Sequence, residues 1–587
     1  MYKWDLTYLF KNQDEFEAAL AKIQGSIEVF SSYEGKLSTK EGFKGYMLLN
    51  KEIDEVLCRV YQYAHLRHDL NKKDVKNTQD LMRVINMLNV LTQAMSFDSP
   101  EILAAGEDVI MGFIDEDDEL KEFRFPMQKL FHSNEHVLDK KSEYLLSLYS
   151  PLTSIGSDLY DALAVADKVP ATVTLKGKGK VTVTQGNWRS LIAEASSASE
   201  RKKIFEAIYK AYDNNKFTYA EIYRLVMQSE KAVAKARNYS SILEANLFNN
   251  NIPTSVYTNL VAVAGKNNKA LKKYIKLRRK ALGLASHKTY DRFMELASSS
   301  RKYSYEDAKR LFFASIEGCP DEFVKRAHQA LEEGFVDVYE QEGKSTGAYS
   351  SGQVDLHPFI LLNYSDTLDD VFTVAHEAGH SIHTLFAQTQ PGTLQNYTIF
   401  VAEIASTFNE HMLLDYFIKF GEATKEEKIM LLQKAIDEIM ATFYRQTLFA
   451  EYELEVSRLV EKDEPINHEV LSNIMVNLYK KYYGQNIVSE KYKQFVWAYI
   501  PHLFHTPFYV YQYATSFAAS FKLYKDVKDG VEGAFDRYIA LLSSGGSEYP
   551  VDQARKAGVD FTKKEAFLAV TERMSELVEQ LEKLLEE

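Results

Sequence analysis

Apolar positions recur every three or four residues along most of this 587-residue chain, the spacing of one buried helix face. An early run from Glu15 to Phe30 places Phe16, Leu20, Ile23, Ile27 and Phe30 on one side. Near the C-terminus Phe567, Val570, Met574, Leu577, Leu581 and Leu584 form a similar stripe opposite Glu and Lys. That stripe suits a coiled-coil partner or a terminal helix docked on its own domain, and the shortness of the repeat favours docking. One stretch breaks the period. From Pro170 to Thr184 two alternating β-branched runs flank a basic, Gly-containing turn, the pattern of a hairpin. It offers a seam before a larger remainder that begins near Trp188. A second β candidate is His357–Tyr364, preceded by the glycine-containing segment Gly347–Gly352. The pattern predicts an all-α, predominantly helical protein with a small β element.

Composition narrows the class. Hydrophobic residues make up 45% and charged residues 26%, with only 12 Pro and 26 Gly, which describes a folded globular chain. Lys plus Arg total 70 against 83 Asp plus Glu, a formal charge of −13. No basic run carries interleaved aromatics, so nucleic acid is not an expected partner. The two cysteines, Cys58 and Cys319, are too few and too distant in sequence for a disulfide framework or a thiolate metal cage. Asp5 interrupts any apolar leader, and no stretch approaches the ~18 apolar residues of a spanning helix. A cytoplasmic protein without a membrane partner is expected.

The chemistry concentrates between Asp366 and His383. Asp366 reads as the N-cap of a helix with Asp369 and Asp370 in its first turn. Val371, Ala375, Ala378, Ile382 and Leu385 supply its apolar stripe, and Pro391-Gly392 stops it. His376 and His380 lie four apart, so both imidazoles leave one face and can chelate a single Zn²⁺, while the adjacent Glu377 can act as a general base. A catalytic zinc keeps three protein ligands, and Glu403 is the best third. It begins a second helix, expected from about Thr398 to Phe420 and closed by Gly421. On that helix Glu410 lies two turns further along the same face, either orienting a ligating imidazole or simply solvated.

His376-Glu-Ala-Gly-His380 followed by Phe400-Val-Ala-Glu403-Ile-Ala-Ser-Thr-Phe-Asn-Glu410 resembles the thimet oligopeptidase and oligoendopeptidase F family of zinc metallopeptidases. Segments Trp4–Phe10, His357–Tyr364, Ile500–His502, Phe508–Thr515, Ser544–Pro550 and Ala557–Asp560 resemble the oligoendopeptidase F branch. The resemblance implies a helical, two-part molecule with a deep substrate channel and one zinc per chain. Its substrates would be short unstructured oligopeptides cut at internal bonds. It divides the chain into an N-terminal helical region (1–115), an oligoendopeptidase F N-terminal-type segment with the hairpin (116–187) and a catalytic region (188–587). The strand near His357–Tyr364 could then pair with an extended peptide or lie buried behind the zinc helix. The family's oxyanion donors fall here on His502, Tyr509 and Tyr511, and the resemblance implies that His502 and Tyr511 stabilise the oxyanion together with the zinc. Position 505 departs from the expected Tyr, so His505 either donates itself or marks a different donor set. Tyr509 and Tyr511 also suit an aromatic helix core. His383 reads as structural or as a support to the ligands rather than as a ligand.

Two rival readings follow from the same residues. A metallocarboxypeptidase would need a basic clamp for a terminal carboxylate, which no sequence feature singles out. A catalytically silent peptide-binding scaffold is disfavoured by the intact His376, Glu377, His380 and Glu403. Cleavage preference and oligomeric state are not legible from the residues.

Overall fold

The structure is a computed structural model that describes residues 2–419, 423–485 and 487–587. The chain forms two compact units, each assembled from three separated segments. The first contains Met1–Glu135, Arg301–Lys419 and Leu523–Val559, and the second His136–Ser300, Phe420–Lys522 and Asp560–Glu587. As expected, helices dominate both. Among the described residues no helix is long and apolar enough to cross a membrane.

In the first unit, helices α1 (Gln13–Ser31), α2 (Lys40–Leu70) and α3 (Val75–Ala94) pack together. Asn12, Thr39 and Asp74 cap their N-termini by accepting backbone N–H groups that no carbonyl within the helix can reach. Phe16, Leu20, Ile23 and Phe30 are buried in the core that α1 shares with α2, as the apolar spacing predicts. A three-stranded sheet extends this core. Strand β3 (Leu356–Tyr364) lies in the middle, with β1 (Val336–Tyr339) parallel on one side and β2 (Tyr349–Gln353) antiparallel on the other. Phe359 and Leu361 of β3 are fully buried, and Ile360 O accepts the Trp4 indole N–H at 2.8 Å. Both edges of β3 are therefore occupied by neighbouring strands, and it cannot itself pair with an extended peptide. The free edge of this sheet on the β2 side belongs to Tyr349–Gln353.

Helix α4 (Leu368–Ala387) packs on β2 and β3 and against α5 (Ile399–Lys419). Among the described residues the expected second helix spans Ile399–Lys419, and Phe420 and Gly421 lie outside them.

The second unit carries the hairpin. Ala171–Leu175 pairs antiparallel with Gly179–Val183, and Gly177 and Gly179 take positive φ values of 78° and 68° in the turn. Helices α6 (Arg445–Glu461) and α7 (His468–Tyr483) pack together. The terminal helix α8 (Glu565–Glu586) buries Phe567, Val570, Met574, Leu577 and Leu581 within the same unit. Its neighbours there include helices Thr254–Lys266 and Lys269–Ala281, so its apolar stripe serves intramolecular docking.

Candidate metal centre and aromatic segment

Helix α4 starts one residue later than the sequence suggests. Thr367 is the N-cap, and a reciprocal pair closes the first turn: Asp370 N donates to Thr367 Oγ1 at 3.2 Å, and Thr367 N donates to Asp370 Oδ2 at 2.9 Å. Asp366, the expected cap, instead takes a left-handed φ of 63° before the helix. Val371, Ala375, Ala378 and Ile382 are fully buried, so the apolar stripe is as expected and the histidines emerge beside it.

What joins α4 to α5 is Gly379, between the two histidines. A Cβ built there would lie 2.5 Å from Ser406 Cα and 2.6 Å from Ala405 O, so only glycine permits this helix spacing. Asn409 reinforces the contact by donating Nδ2–H to Ala375 O at 3.0 Å.

The close approach gathers three potential metal ligands. Glu403 Oε2 lies 3.4 Å from both His376 Nε2 and His380 Nε2, and one ligand atom from each residue falls within 4.8 Å of the others. Ser406 Oγ donates to Glu403 Oε2 at 2.9 Å and fixes the carboxylate. Glu410 Oε1 lies 2.8 Å from His376 Nδ1, which sets that nitrogen as the N–H donor and leaves Nε2 its lone pair. Glu410 is therefore engaged with a candidate ligand rather than solvated.

The donor set fits zinc: two imidazole nitrogens and one carboxylate, with room for a fourth position. Its charge fits too. Three carboxylates, Glu377, Glu403 and Glu410, face two imidazoles, an excess of negative charge that a divalent cation neutralises. Burial disfavours ionisation of Glu403, yet the adjoining imidazoles of His376 and His380 overcome it and hold its carboxyl far below the ordinary range. Glu377 is 6% exposed, and its Oε2 has no hydrogen-bond partner among the described residues. Burial pushes its carboxyl above the ordinary value. A buried carboxylate oxygen without a partner is costly unless it serves something that binds there.

These residues open onto a cavity of about 520 Å³. His376, Glu377, His380 and Glu403 line one part, and the outer strand β2, residues Tyr349–Gln353, lines another. His383 stays out of it. It is buried, stacks on Tyr397 with centroids 3.7 Å apart, and burial lowers its imidazole to about 3, keeping it neutral and structural.

The aromatic segment belongs to the second unit. His502 and Tyr509 rings lie parallel at 6.1 Å, and Tyr513 meets both edge-on at 6.2 and 5.5 Å. His502 and Tyr509 are each partly exposed. Tyr511 is not on that face: it is 1% exposed and packs against Tyr257 at 5.0 Å. His505 is exposed and its Nε2 lies 3.0 Å from Asp161 Oδ1. Sequence reasoning missed two residues here. Tyr513, four residues beyond Tyr509, completes the aromatic cluster, and that spacing was the available signal. Glu453 Oε1 accepts Phe508 N at 2.7 Å and holds Phe508 in a left-handed backbone conformation with φ 58°, which aims the segment that follows. No local pattern marks that glutamate.

Comparison with known proteins adds an independent line. Residues 191–573 match peptidase family M3, and residues 101–168 match the oligopeptidase F description. The chain is 34% identical to the oligopeptidase PepF of Bacillus subtilis, covering 99% of this chain and 87% of that protein. It is 35% identical to an oligoendopeptidase F homolog of Borreliella burgdorferi, covering 96% and 94%. Among solved structures, a Chlamydophila abortus chain superposes with a TM-score of 0.92 at 30% identity, covering 99% of this chain and 98% of that one. The oligoendopeptidase-F of Enterococcus faecium does so with a TM-score of 0.75 at 27% identity, covering 98% and 99%.

Proposed function

The chain belongs to peptidase family M3, with full-length similarity to oligoendopeptidase F, and from that membership we propose that it is a zinc metalloendopeptidase cutting internal bonds of short, unstructured oligopeptides. That it is a peptide hydrolase follows from the family. The observation that carries the finer reading is the convergence of His376, His380 and Glu403 within 4.8 Å beside the buried, unpartnered Glu377. The region 188–587 is its catalytic part, in keeping with the family match from residue 191.

His376, His380 and Glu403 would hold one zinc ion, which supplies Lewis acidity toward the scissile carbonyl and lowers the pKa of a water. Glu377 takes the proton of the attacking water and later delivers it to the leaving amine, a role suited to a carboxyl whose burial lifts its proton affinity. Glu410 keeps the His376 ring in the tautomer that presents Nε2. The free edge of β2 offers backbone groups to an extended peptide, giving affinity that depends little on side chains. In the second unit His502 and Tyr509, partly exposed and face to face, are the donors for negative charge developing on the carbonyl oxygen. Tyr511 supports that face from the buried side, and His505 is engaged by Asp161. Substrates are oligopeptides, and the expected compartment is the cytoplasm.

The deciding experiment uses a quenched fluorescent peptide, short and blocked at both ends, with and without chelator and with zinc restored. Internal cleavage that vanishes on chelation and returns with zinc supports the proposal. Cleavage only of peptides with a free C-terminus would replace it with a carboxypeptidase, and zinc binding without any hydrolysis would leave a silent peptide binder.

A further inference from the structure

The second unit contains a separate, partly open cavity of about 40 Å³. Its lining includes the cations Arg292, Arg445 and Lys493, with the exposed Arg189, and no Asp or Glu. Among the described residues, none of Arg292, Arg445 and Lys493 has a carboxylate within ion-pair distance. Their polar contacts are phenols and rings. Arg445 Nη1 donates to Tyr479 Oη at 3.2 Å, Lys493 Nζ donates to Tyr209 Oη at 3.3 Å, and Arg292 stacks over Phe293 at 4.7 Å. Lys493 is 4% exposed.

Acids nearby reach these cations only through space, Asp437 acting on Arg292 and Glu490 on Lys493, and each is hydrogen-bonded elsewhere. Asp291 pairs with Arg201 at 2.8 Å, Glu490 accepts Thr289 N at 3.0 Å, and Asp437 accepts Tyr274 Oη at 2.8 Å. Two lining groups have no partner at all among the described residues: Tyr483 Oη and His287 Nε2, both buried atoms. Burial lowers the His287 imidazole to about 4, so it is neutral. With its Nδ1 facing the Gln485 amide N–H at 3.3 Å, its Nε2 carries the proton and is a donor. Cations and unused donors thus converge on one small cavity.

We propose that this cavity binds a small inorganic anion of chloride size, which supplies the counter-charge for Arg292, Arg445 and Lys493. Leaving several cations in a shared low-dielectric pocket without a directly paired anion is costly, and their mutual repulsion adds to the cost. The pocket's positive field is visible in Tyr479, whose phenol is drawn below its ordinary value by Lys493, Arg445 and Arg292 although burial opposes it. Size selects the ligand. One water needs roughly 10–15 Å³ measured this way, so the cavity holds about three waters, enough for a chloride and a water or two but tight for a tetrahedral oxyanion. The anion would tie the Thr289–Phe293 turn to α6, α7 and the Lys493–Phe495 turn, which follow one another more than 150 residues later.

The test measures thermal unfolding of the full zinc-loaded chain at constant ionic strength as chloride replaces gluconate, which is too large to enter. A saturable rise in Tm with chloride is expected, and Lys493→Met should abolish the dependence. Superimposable curves in the two salts would overturn the proposal, as would a rise with phosphate but not chloride. Because Lys493→Met could simply misfold, crystals of the unaltered protein in sodium bromide provide a second reading: an anomalous peak among Arg292, Arg445 and Lys493 supports the site, and an empty cavity rejects it. A tyrosinate absorbance near neutral pH that disappears in Tyr479→Phe would show that Tyr479, not an anion, provides the charge.

Discussion

His376 Nδ1 and Glu410 Oε1 lie 2.8 Å apart, across the gap between α4 and α5. The contact decides which nitrogen of His376 faces the cavity, so it acts on metal affinity without touching the metal. Replacing Glu410 by Ala should weaken zinc binding about 10- to 100-fold, the usual cost of losing such a partner. Zinc titration against a competing chelator checks it, and unchanged affinity would return Glu410 to a passive role.

Glu377→Gln keeps the shape of the side chain and removes its basicity. Zinc content should stay at one per chain while kcat falls roughly 10²- to 10⁴-fold, the range of general acid–base contributions. Metal analysis beside peptide turnover separates this from loss of the site, and turnover preserved with full zinc would sink the assignment.

Gly379→Ala inserts a methyl group where Ser406 Cα stands 2.5 Å away. Neither helix backbone can yield as a side chain would, so a stability loss of about 1–3 kcal/mol is expected, with weaker zinc binding as α5 carries Glu403 away. Denaturant unfolding and zinc titration on the same variant should move together.

His502→Ala should lower kcat by roughly 10²- to 10³-fold if the side chain donates to the developing oxyanion. Tyr509→Phe should lower kcat more than Tyr511→Phe, because Tyr509 is the partly exposed partner of His502 whereas Tyr511 is buried. Steady-state kinetics on the three variants, with KM reported separately, tests the ordering.

Glu453 gives stability a pH slope. Burial pushes its carboxyl from 4.5 up to about 8. Between those values the folded chain keeps a proton that the unfolded chain has released, so its contribution is whole below pH 4.5 and is lost as pH rises through 8. Glu453→Gln should flatten that part of the profile and gain relative stability at alkaline pH. Unfolding midpoints from pH 5 to 9 for both proteins provide the comparison, and parallel profiles would contradict it.

The helices were legible because their apolar period is local: α1, α4 and α8 bury the stripes read from the sequence, except for the half-buried Ile27 and Leu584. The hairpin was equally open, since two alternating runs and a glycine turn need nothing beyond themselves. The four residues His376, Glu377, His380 and Glu403 were found through spacing and resemblance, and the fold brings them together. What stayed hidden depends on contacts between distant segments. The position of His357–Tyr364 at the centre of its sheet is set by partners in two other strands, so the sequence left a peptide-pairing edge and a buried strand equally open. Tyr511 differs from Tyr509 only by which way the chain turns after Phe508, and that turn is fixed by Glu453, 55 residues earlier. The anion cavity is assembled from five stretches, none with a motif.

The metal helices complete their surroundings late. Phe408 on α5 stacks on Tyr538 at 4.1 Å, a residue contributed by the last segment of the first unit, after the chain has traversed 420–522 in the other unit. During synthesis, the segment carrying the candidate metal ligands therefore leaves the ribosome well before the layer that backs it exists. A nascent chain halted anywhere before Tyr538 would carry His376, His380 and Glu403 yet lack that buttress, so the proposed site gains its backing layer only once Tyr538 has been made.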